Sequence, residues 1–289
     1  MKTVAVIGLG LMGGSVAKAL KKHGGYTVIG ADRDENVLNR ALDECVICSV
    51  WDQSSYLLAD ITLLCVSPSV AVSFIKNSAA MLKKGSILSD ICGIKREIVA
   101  LGEAVCKPLG ISFVGGHPMA GRELSGYEHS VENLFANRSY ILTKTQNTDR
   151  KALEKMSLLA KDIGCLDVTV TTPEEHDRMI AFTSQLPHVL AGAYIKSPQS
   201  DRHKGFSAGS YHDVSRVASV DENLWSELFL SNKDNLLSEI DMLINHLKEY
   251  RQAIEKNDRT AVSDAVKQGR ILKERDITLN GNEKPHKFG

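Results

Sequence analysis

The chain has no long apolar run, no excess of charge of either sign and no paired cysteine pattern. Each absence removes a class of function. No stretch of the 289 residues is apolar over the length needed to span a bilayer. Lys+Arg and Asp+Glu both number 35, so the formal net charge is zero, and nothing in that balance favours nucleic acid or an anionic membrane. The six cysteines are Cys45, Cys48, Cys65, Cys92, Cys106 and Cys165. Cys45 and Cys48 form a C-x-x-C with no second pair, which argues against zinc. Reduced thiols, most of them buried, are expected, in keeping with a cytoplasmic protein. No cleavable signal pattern lies between Met1-Lys2 and the first strand-like segment. No internal repeat, low-complexity tract or metal-ligand cluster is visible. What remains is 43% apolar and 24% charged, the composition of a globular protein with one large domain or two ordinary ones.

What is present begins with Thr3 to Ile7, a β-branched apolar run that reads as a buried parallel strand. Gly8-Leu9-Gly10-Leu11-Met12-Gly13 follows at once, and a helical run starts after Gly14-Ser15. This is G-x-G-x-x-G with a strand before it and a helix after it. The first glycine makes the tight turn, the second lets the backbone approach a pyrophosphate, and the third permits close helix–strand packing. Backbone N–H groups at the helix start then face the phosphates. A second strand, Tyr26 to Gly30, leads to Asp32, 19 residues after Gly13, where an acid binds the adenosine ribose hydroxyls. The acid favours NAD over NADP, and the adjacent Arg33 could soften that preference. Cofactor contacts are therefore expected at Gly8, Gly10, Leu11, Met12, Gly13, Asp32 and Arg33.

Strands and helices keep alternating. Helices are expected over 36–42, 70–82, 96–106 and 151–163. Strands are expected over 61–66, 86–89, 111–114, 139–142 and 167–170. The loops at Ser67 and Cys92 should border the same cofactor. After the 111–114 strand comes Gly115-Gly116-His117-Pro118-Met119-Ala120-Gly121-Arg122-Glu123-Leu124-Ser125-Gly126. Its glycines and proline argue against a regular helix or strand, so a loop is expected, with a titratable histidine at a strand end. A surface turn with an incidental histidine is the plain alternative. With Gly8, Ser67 and Cys92, this loop points to one crevice of a doubly wound sheet.

The pattern changes at Thr172-Pro173-Glu174-Glu175, an N-cap, a first-turn proline and a capping box. Beyond it only helices are expected, so a boundary falls near residue 171. On the first of these helices Asp177, Ser184 and His188 lie 7 and 11 residues apart. At about 100° per residue they would share one polar stripe. Pro187 is expected to break or kink the helix beside His188. Residues 196–211 read as a loop, 224–254 as a long helix and 258–272 as a last helix, with a frayed tail from Asn280. The apolar helical faces suggest a homodimer.

Together these segments resemble the prephenate dehydrogenase family, which includes arogenate dehydrogenases. The resemblance rests on the glycine fingerprint, on Gly116-His117-Pro118-Met119-Ala120-Gly121 with Glu123, and on His176-Asp177. It extends to Ser184-Gln185-Leu186-Pro187-His188, to Asp213 through Arg216, and to Trp225. It implies an α/β fold: an N-terminal Rossmann-type doubly wound domain (1–171), then an all-helical substrate-binding and dimerisation domain (172–289). It implies NAD-dependent oxidative decarboxylation of prephenate to 4-hydroxyphenylpyruvate in tyrosine biosynthesis. His117 is expected to take the hydroxyl proton, since a neutral imidazole suits that task. Arg216 is expected to grip a substrate carboxylate, a task suited to a planar fork. His188, Ser184, Arg122 and Glu123 complete the substrate side, and Asp177 and Asp213 are expected to brace it. No metal is expected.

One position departs from the family pattern. Where many members carry a serine that hydrogen-bonds the catalytic histidine, this chain has Gly93, so His117 needs another orienting partner. Cys92 is too poor a hydrogen-bonding group to serve. No regulatory domain is visible. Arogenate as substrate, a β-hydroxyacid dehydrogenase and a non-catalytic NAD-binding sensor remain as alternatives. The histidine loop argues against the second, and the intact His117, His188 and Arg216 argue against the third.

Overall fold

A computed structural model describes residues 2–122 and 124–281. The first half alternates as expected. It runs β1 (Lys2–Ile7), α1 (Leu11–His23), β2 (Tyr26–Ala31), α2 (Glu35–Asp43), β3 (Ser49–Val50), α3 (Ser55–Leu58), β4 (Ile61–Leu64), α4 (Pro68–Ser78), β5 (Ile87–Asp90) and α5 (Arg96–Cys106). It continues with β6 (Ser112–Pro118), β7 (Ser139–Thr143), α6 (Arg150–Asp162) and β8 (Asp167–Thr171). The eight strands form one sheet in the order β3-β2-β1-β4-β5-β6-β7-β8. Every neighbouring pair is parallel except β6 and β7. Val4, Ala5, Val6, Leu64 and Leu88 are wholly buried, because strands covered on both faces need apolar residues throughout. The order reverses direction between β1 and β4, so the carboxyl ends of β1, β4, β5 and β6 lie side by side, where a doubly wound sheet leaves its crevice.

The stretch expected to be a loop is partly a strand. Gly115, Gly116, His117 and Pro118 belong to β6 and pair with Thr143, Leu142, Ile141 and Tyr140. The glycines serve packing rather than turning. A Cβ on Gly115 would lie 2.4 Å from Thr143 Oγ1 and 2.6 Å from Val99, and one on Gly116 would lie 2.7 Å from the Tyr140 hydroxyl. Only hydrogen fits between those neighbours.

After β8 the chain is helical: α7 (Pro173–Ile180), α8 (Leu186–Tyr194), α9 (Gly209–Ser215), α10 (Glu222–Ser231), α11 (Lys233–Glu255) and α12 (Arg259–Asn280). Thr172 caps α7, its hydroxyl accepting the Glu175 N–H. The long helix expected over 224–254 is interrupted at Asn232, and the last helix runs eight residues beyond Leu272. The 196–211 loop contains a 3-10 turn at Ser200–Arg202 and the start of α9. The expected kink at Pro187 takes another form. Ala181–Gln185 is one turn of π-helix, and Pro187 sits in the first turn of α8, where its missing N–H is tolerated. The tail beyond residue 281 lies outside the described residues.

The switch from strands to helices falls at 171–173, whereas the chain's compact units divide between Leu236 and Leu237. The second unit holds most of α11 and α12, with Leu247, Ile254, Val266, Leu272 and Leu279 each more than half exposed. All six cysteines are free thiols. Cys45 and Cys48 are exposed, unlike the other four, which corrects the expectation of a mostly apolar setting for that pair only. Among the described residues no helix is long and apolar enough to cross a membrane.

Candidate active site

The nucleotide end is built from backbone. Gly8 turns with φ 93°, and its N–H donates to the Ala31 carbonyl at 2.7 Å. A Cβ on Gly13 would lie 1.8 Å from the Gly8 carbonyl oxygen, so α1 packs against the turn through a glycine. A Cβ on Gly10 would meet nothing within 4 Å, so that side of the turn is open. The N-terminus of α1 has no side-chain cap and no acid in its first turn, so its N–H groups remain available for an anion. Asp32 Oδ2 accepts the Leu9 N–H at 2.7 Å and Oδ1 accepts the Asp34 N–H at 3.0 Å, which ties the carboxylate to the turn. Leu11 is buried in the core, Met12 is half-buried and Arg33 is exposed. These features fit a dinucleotide: an open cradle, a bare helix N-terminus and an acid at the end of β2.

The neighbouring loops reach the same edge. Ser67 precedes α4, and its hydroxyl lies 3.3 Å from that of Ser69. The Ser69 N–H donates to Glu227 of α10 at 2.6 Å. The Cys92 side chain is buried, with its sulfur 3.8 Å from the Val66 carbonyl. Burial raises the thiols of Cys65 and Cys92 far above their usual range, so neither offers a thiolate nucleophile. A Cβ on Gly93 would lie 3.3 Å from the Leu228 side chain, which covers that position.

The second end is built from side chains. His117 Nδ1 lies 2.9 Å from His176 Nε2, and His176 Nδ1 lies 2.7 Å from Asp177 Oδ1. Asp177 is wholly buried. Its Oδ1 also accepts the Lys95 N–H at 2.8 Å, and its Oδ2 accepts the Arg96 N–H at 2.9 Å and Arg96 Nε–H at 3.3 Å. Asn232 Nδ2 donates to the Asp177 carbonyl and to Gln185 Oε1, each at 2.8 Å. Lys95 and Asp90 form an ion pair with no exposed surface on either side chain. His117 keeps part of its surface exposed. Burial, His176 and Lys95 hold its imidazole well below the usual range, so it is neutral near pH 7. Burial likewise lowers His176, against the raising effect of its bond to Asp177.

Not every expected residue joins this cluster. Asp177 does not share a stripe with Ser184 and His188. The π turn between them breaks the 100° spacing, and Asp177 faces the start of α5 instead. His188 Nδ1 lies 2.8 Å from the Ser184 carbonyl, and its ring stacks on Trp225 with centroids 3.6 Å apart. Ser184 is half-buried. Arg216 opens the 3-10 turn Arg216–Ala218, which packs against α8, the helix that carries His188. Arg122 and Asp213 are exposed, and Glu123 lies outside the described residues. Among the described residues no group of three or more His, Cys, Asp or Glu could hold a metal.

Sequence reasoning gave no role to His176, Asn232, Gln185 or the Asp90–Lys95 pair. A charged residue closing an otherwise apolar strand, as Asp90 does, was the one available signal for the pair. The others are joined by contacts across 47 to 59 residues, which no local pattern reveals.

Comparison with known proteins places this geometry in context. Residues 16–167 match the family model described as prephenate dehydrogenase, nucleotide-binding domain. Residues 172–268 match prephenate dehydrogenase, dimerization domain. The chain is 34% identical over 284 residues to prephenate dehydrogenase of Lactococcus lactis subsp. cremoris (strain MG1363), covering 95% of this chain and 77% of that one. It is 33% identical over 268 residues to cyclohexadienyl dehydrogenase of Zymomonas mobilis subsp. mobilis (strain ATCC 31821 / ZM4 / CP4), covering 89% and 90%. The crystal structure of prephenate dehydrogenase from A. aeolicus, in complex with hydroxyphenyl propionate and NAD+, superposes with a TM-score of 0.83 at 27% identity, covering 95% of this chain and 98% of that one.

Proposed function

The chain belongs to the prephenate dehydrogenase family, and on that premise we propose that it oxidatively decarboxylates prephenate to 4-hydroxyphenylpyruvate with NAD, in tyrosine biosynthesis. The observation that carries the reading is His117. It is a neutral imidazole near the carboxyl end of β6, on the same edge of the sheet as the carboxyl ends of β1 and β4, which lead into the glycine turn and Ser67. The names of the Lactococcus lactis and A. aeolicus relatives support prephenate as the substrate. NAD supplies the hydride acceptor when bound. Gly8, Gly10, Gly13 and the start of α1 hold its phosphates, Asp32 its adenosine ribose, and Ser67 and Cys92 border it.

His117 takes the proton of the substrate hydroxyl as hydride leaves the carbinol carbon, so a ring ketone forms. The ring carboxylate then leaves as CO₂. Its bonding electron pair enters the ring, which becomes aromatic, and the former ketone oxygen takes the charge. His117 returns its proton to that oxygen, giving the phenol and restoring the neutral base. Arg216 holds a substrate carboxylate, and His188 and Ser184 serve the substrate side with Arg122. The division of labour runs near residue 171: residues 1–171 serve the dinucleotide, and 172–289 serve substrate binding and assembly. The dimerization-domain match and the exposed apolar residues of α11 and α12 support a homodimer. The six free thiols support a cytoplasmic setting.

The test is NADH formation by the purified chain with prephenate or arogenate. The expected result is a preference for prephenate, with kcat reduced about 10²–10⁴-fold in His117→Asn while NAD binding persists. Preference for arogenate would keep the chemistry and change the substrate. Turnover that survives His117→Asn would remove His117 as the base.

A further inference from the structure

We infer that His176 is a positioning residue, which locks His117 in the single tautomer that leaves Nε2 bare to receive the substrate proton. The inference rests on the reading of His117 as the base.

Asp177 is surrounded by donors. The Lys95 and Arg96 N–H groups and Arg96 Nε–H already point at its two oxygens. Its remaining partner, His176 Nδ1 at 2.7 Å, must therefore donate as well. A neutral imidazole carries one N–H, so His176 Nε2 then holds a lone pair. That lone pair faces His117 Nδ1 at 2.9 Å, and two lone pairs do not face each other at that distance, so His117 Nδ1 must carry its proton. The base nitrogen of His117 is then Nε2, away from His176. An unconstrained imidazole distributes its proton over both ring nitrogens, and the fraction protonated at Nε2 cannot accept a proton there.

The clamp is built to hold. His176 and Asp177 are 2% and 0% exposed. Asp177 is fixed by the backbone at the start of α5, and its own carbonyl is held by the wholly buried Asn232. Moving the His176 proton to Nε2 would leave a buried carboxylate facing a lone pair, which is heavily disfavoured. Gly93 offers no side chain, and the orienting bond on His117 comes from α7.

Nitrogen NMR on ¹⁵N-histidine-labelled full chain reads the tautomer directly, without mutation. Loss of one signal set in His117→Asn assigns it among the nine histidines. The expected spectrum shows His117 protonated at Nδ1 and bare at Nε2. A proton found on Nε2 at neutral pH would overturn the inference. Two variants then test its consequence. His176→Leu removes the acceptor and should cost about 10²-fold in kcat, with the prephenate KM and NAD affinity nearly unchanged. His176→Gln restores an amide oxygen as acceptor and should recover most of that loss. Full kcat in His176→Leu, with His117→Asn inactive, would refute the positioning role and leave the base reading standing. Full kcat in His117→Asn would instead refute the base reading itself.

Discussion

The two ends of the candidate site are made of different material. At the nucleotide end the backbone does the work: a glycine at φ 93°, a bare helix N-terminus and one carboxylate tied to the turn. At the histidine end the work falls to buried side chains: Asp177, His176, Asn232 and the Asp90–Lys95 pair. Backbone sites depend on what is missing, since a Cβ would fill the space. Side-chain sites depend on partners that must all be present, since a buried polar group left alone is costly. The first kind is compact in sequence, and the second is gathered from residues spread between Asp90 and Asn232.

The sharpest way to expose that difference is to remove one member of the buried ion pair. Lys95→Met leaves Asp90 uncompensated in a site with no exposure, and should lower stability by about 3–5 kcal/mol. Denaturant unfolding measures it. Replacing both partners, as Asp90→Leu with Lys95→Met, should cost much less, because no charge is stranded. A double variant as unstable as the single one would show that the pair holds more than its own charges.

The glycine turn offers a smaller contrast. Gly13→Ala places a Cβ 1.8 Å from the Gly8 carbonyl, and should destabilise by about 1–3 kcal/mol as well as weaken NAD binding. Gly10→Ala meets nothing within 4 Å of the protein, so its melting temperature should hold while NAD affinity falls. Equal melting losses in the two variants would contradict the reading of Gly10 as a cradle for the cofactor.

The gentlest probe is pH. His117 and His176 are both held below the usual imidazole value of 6.5. The base must be neutral, so turnover should stay full through pH 6.5 and decline only at lower pH, as His117 titrates. Stability should move in the same direction. Below pH 6.5 the unfolded chain binds protons on these two residues before the folded chain does, so stability is lost as pH falls. Turnover already halved at pH 6.5 would show that burial does not depress His117.

The same contrast explains what could be read in advance. The glycine turn, Asp32 and the alternation through α6 are local patterns, and α5 falls on the expected residues 96–106. β6 was obscured because its glycines look like a loop, whereas they admit Val99, Thr143 and Tyr140 at close range. The stripe of Asp177, Ser184 and His188 assumed an unbroken period of 100° per residue, and the π turn cancels that assumption. His176 was visible as a residue but not as a partner, because its neighbour is 59 residues away on a strand. Asn232 sits in a helical pattern that continues on either side of it, so periodicity alone runs straight through the break.

The π turn between α7 and α8 has a genetic consequence. It holds one residue more than an α-helical turn, closing from Leu186 N–H to the Ala181 carbonyl. Loss of a single codon within 181–185 would leave a helix that is locally more regular and well able to form. The π turn already absorbs the extra residue, so the helix beyond the deletion would keep its phase, with His188 still against Trp225 and His176 and Asp177 in place. Small deletions are usually tolerated in loops and harmful in helices. This one would be an exception, because the π turn takes up the extra residue without shifting the base-orienting end against the end that carries His188.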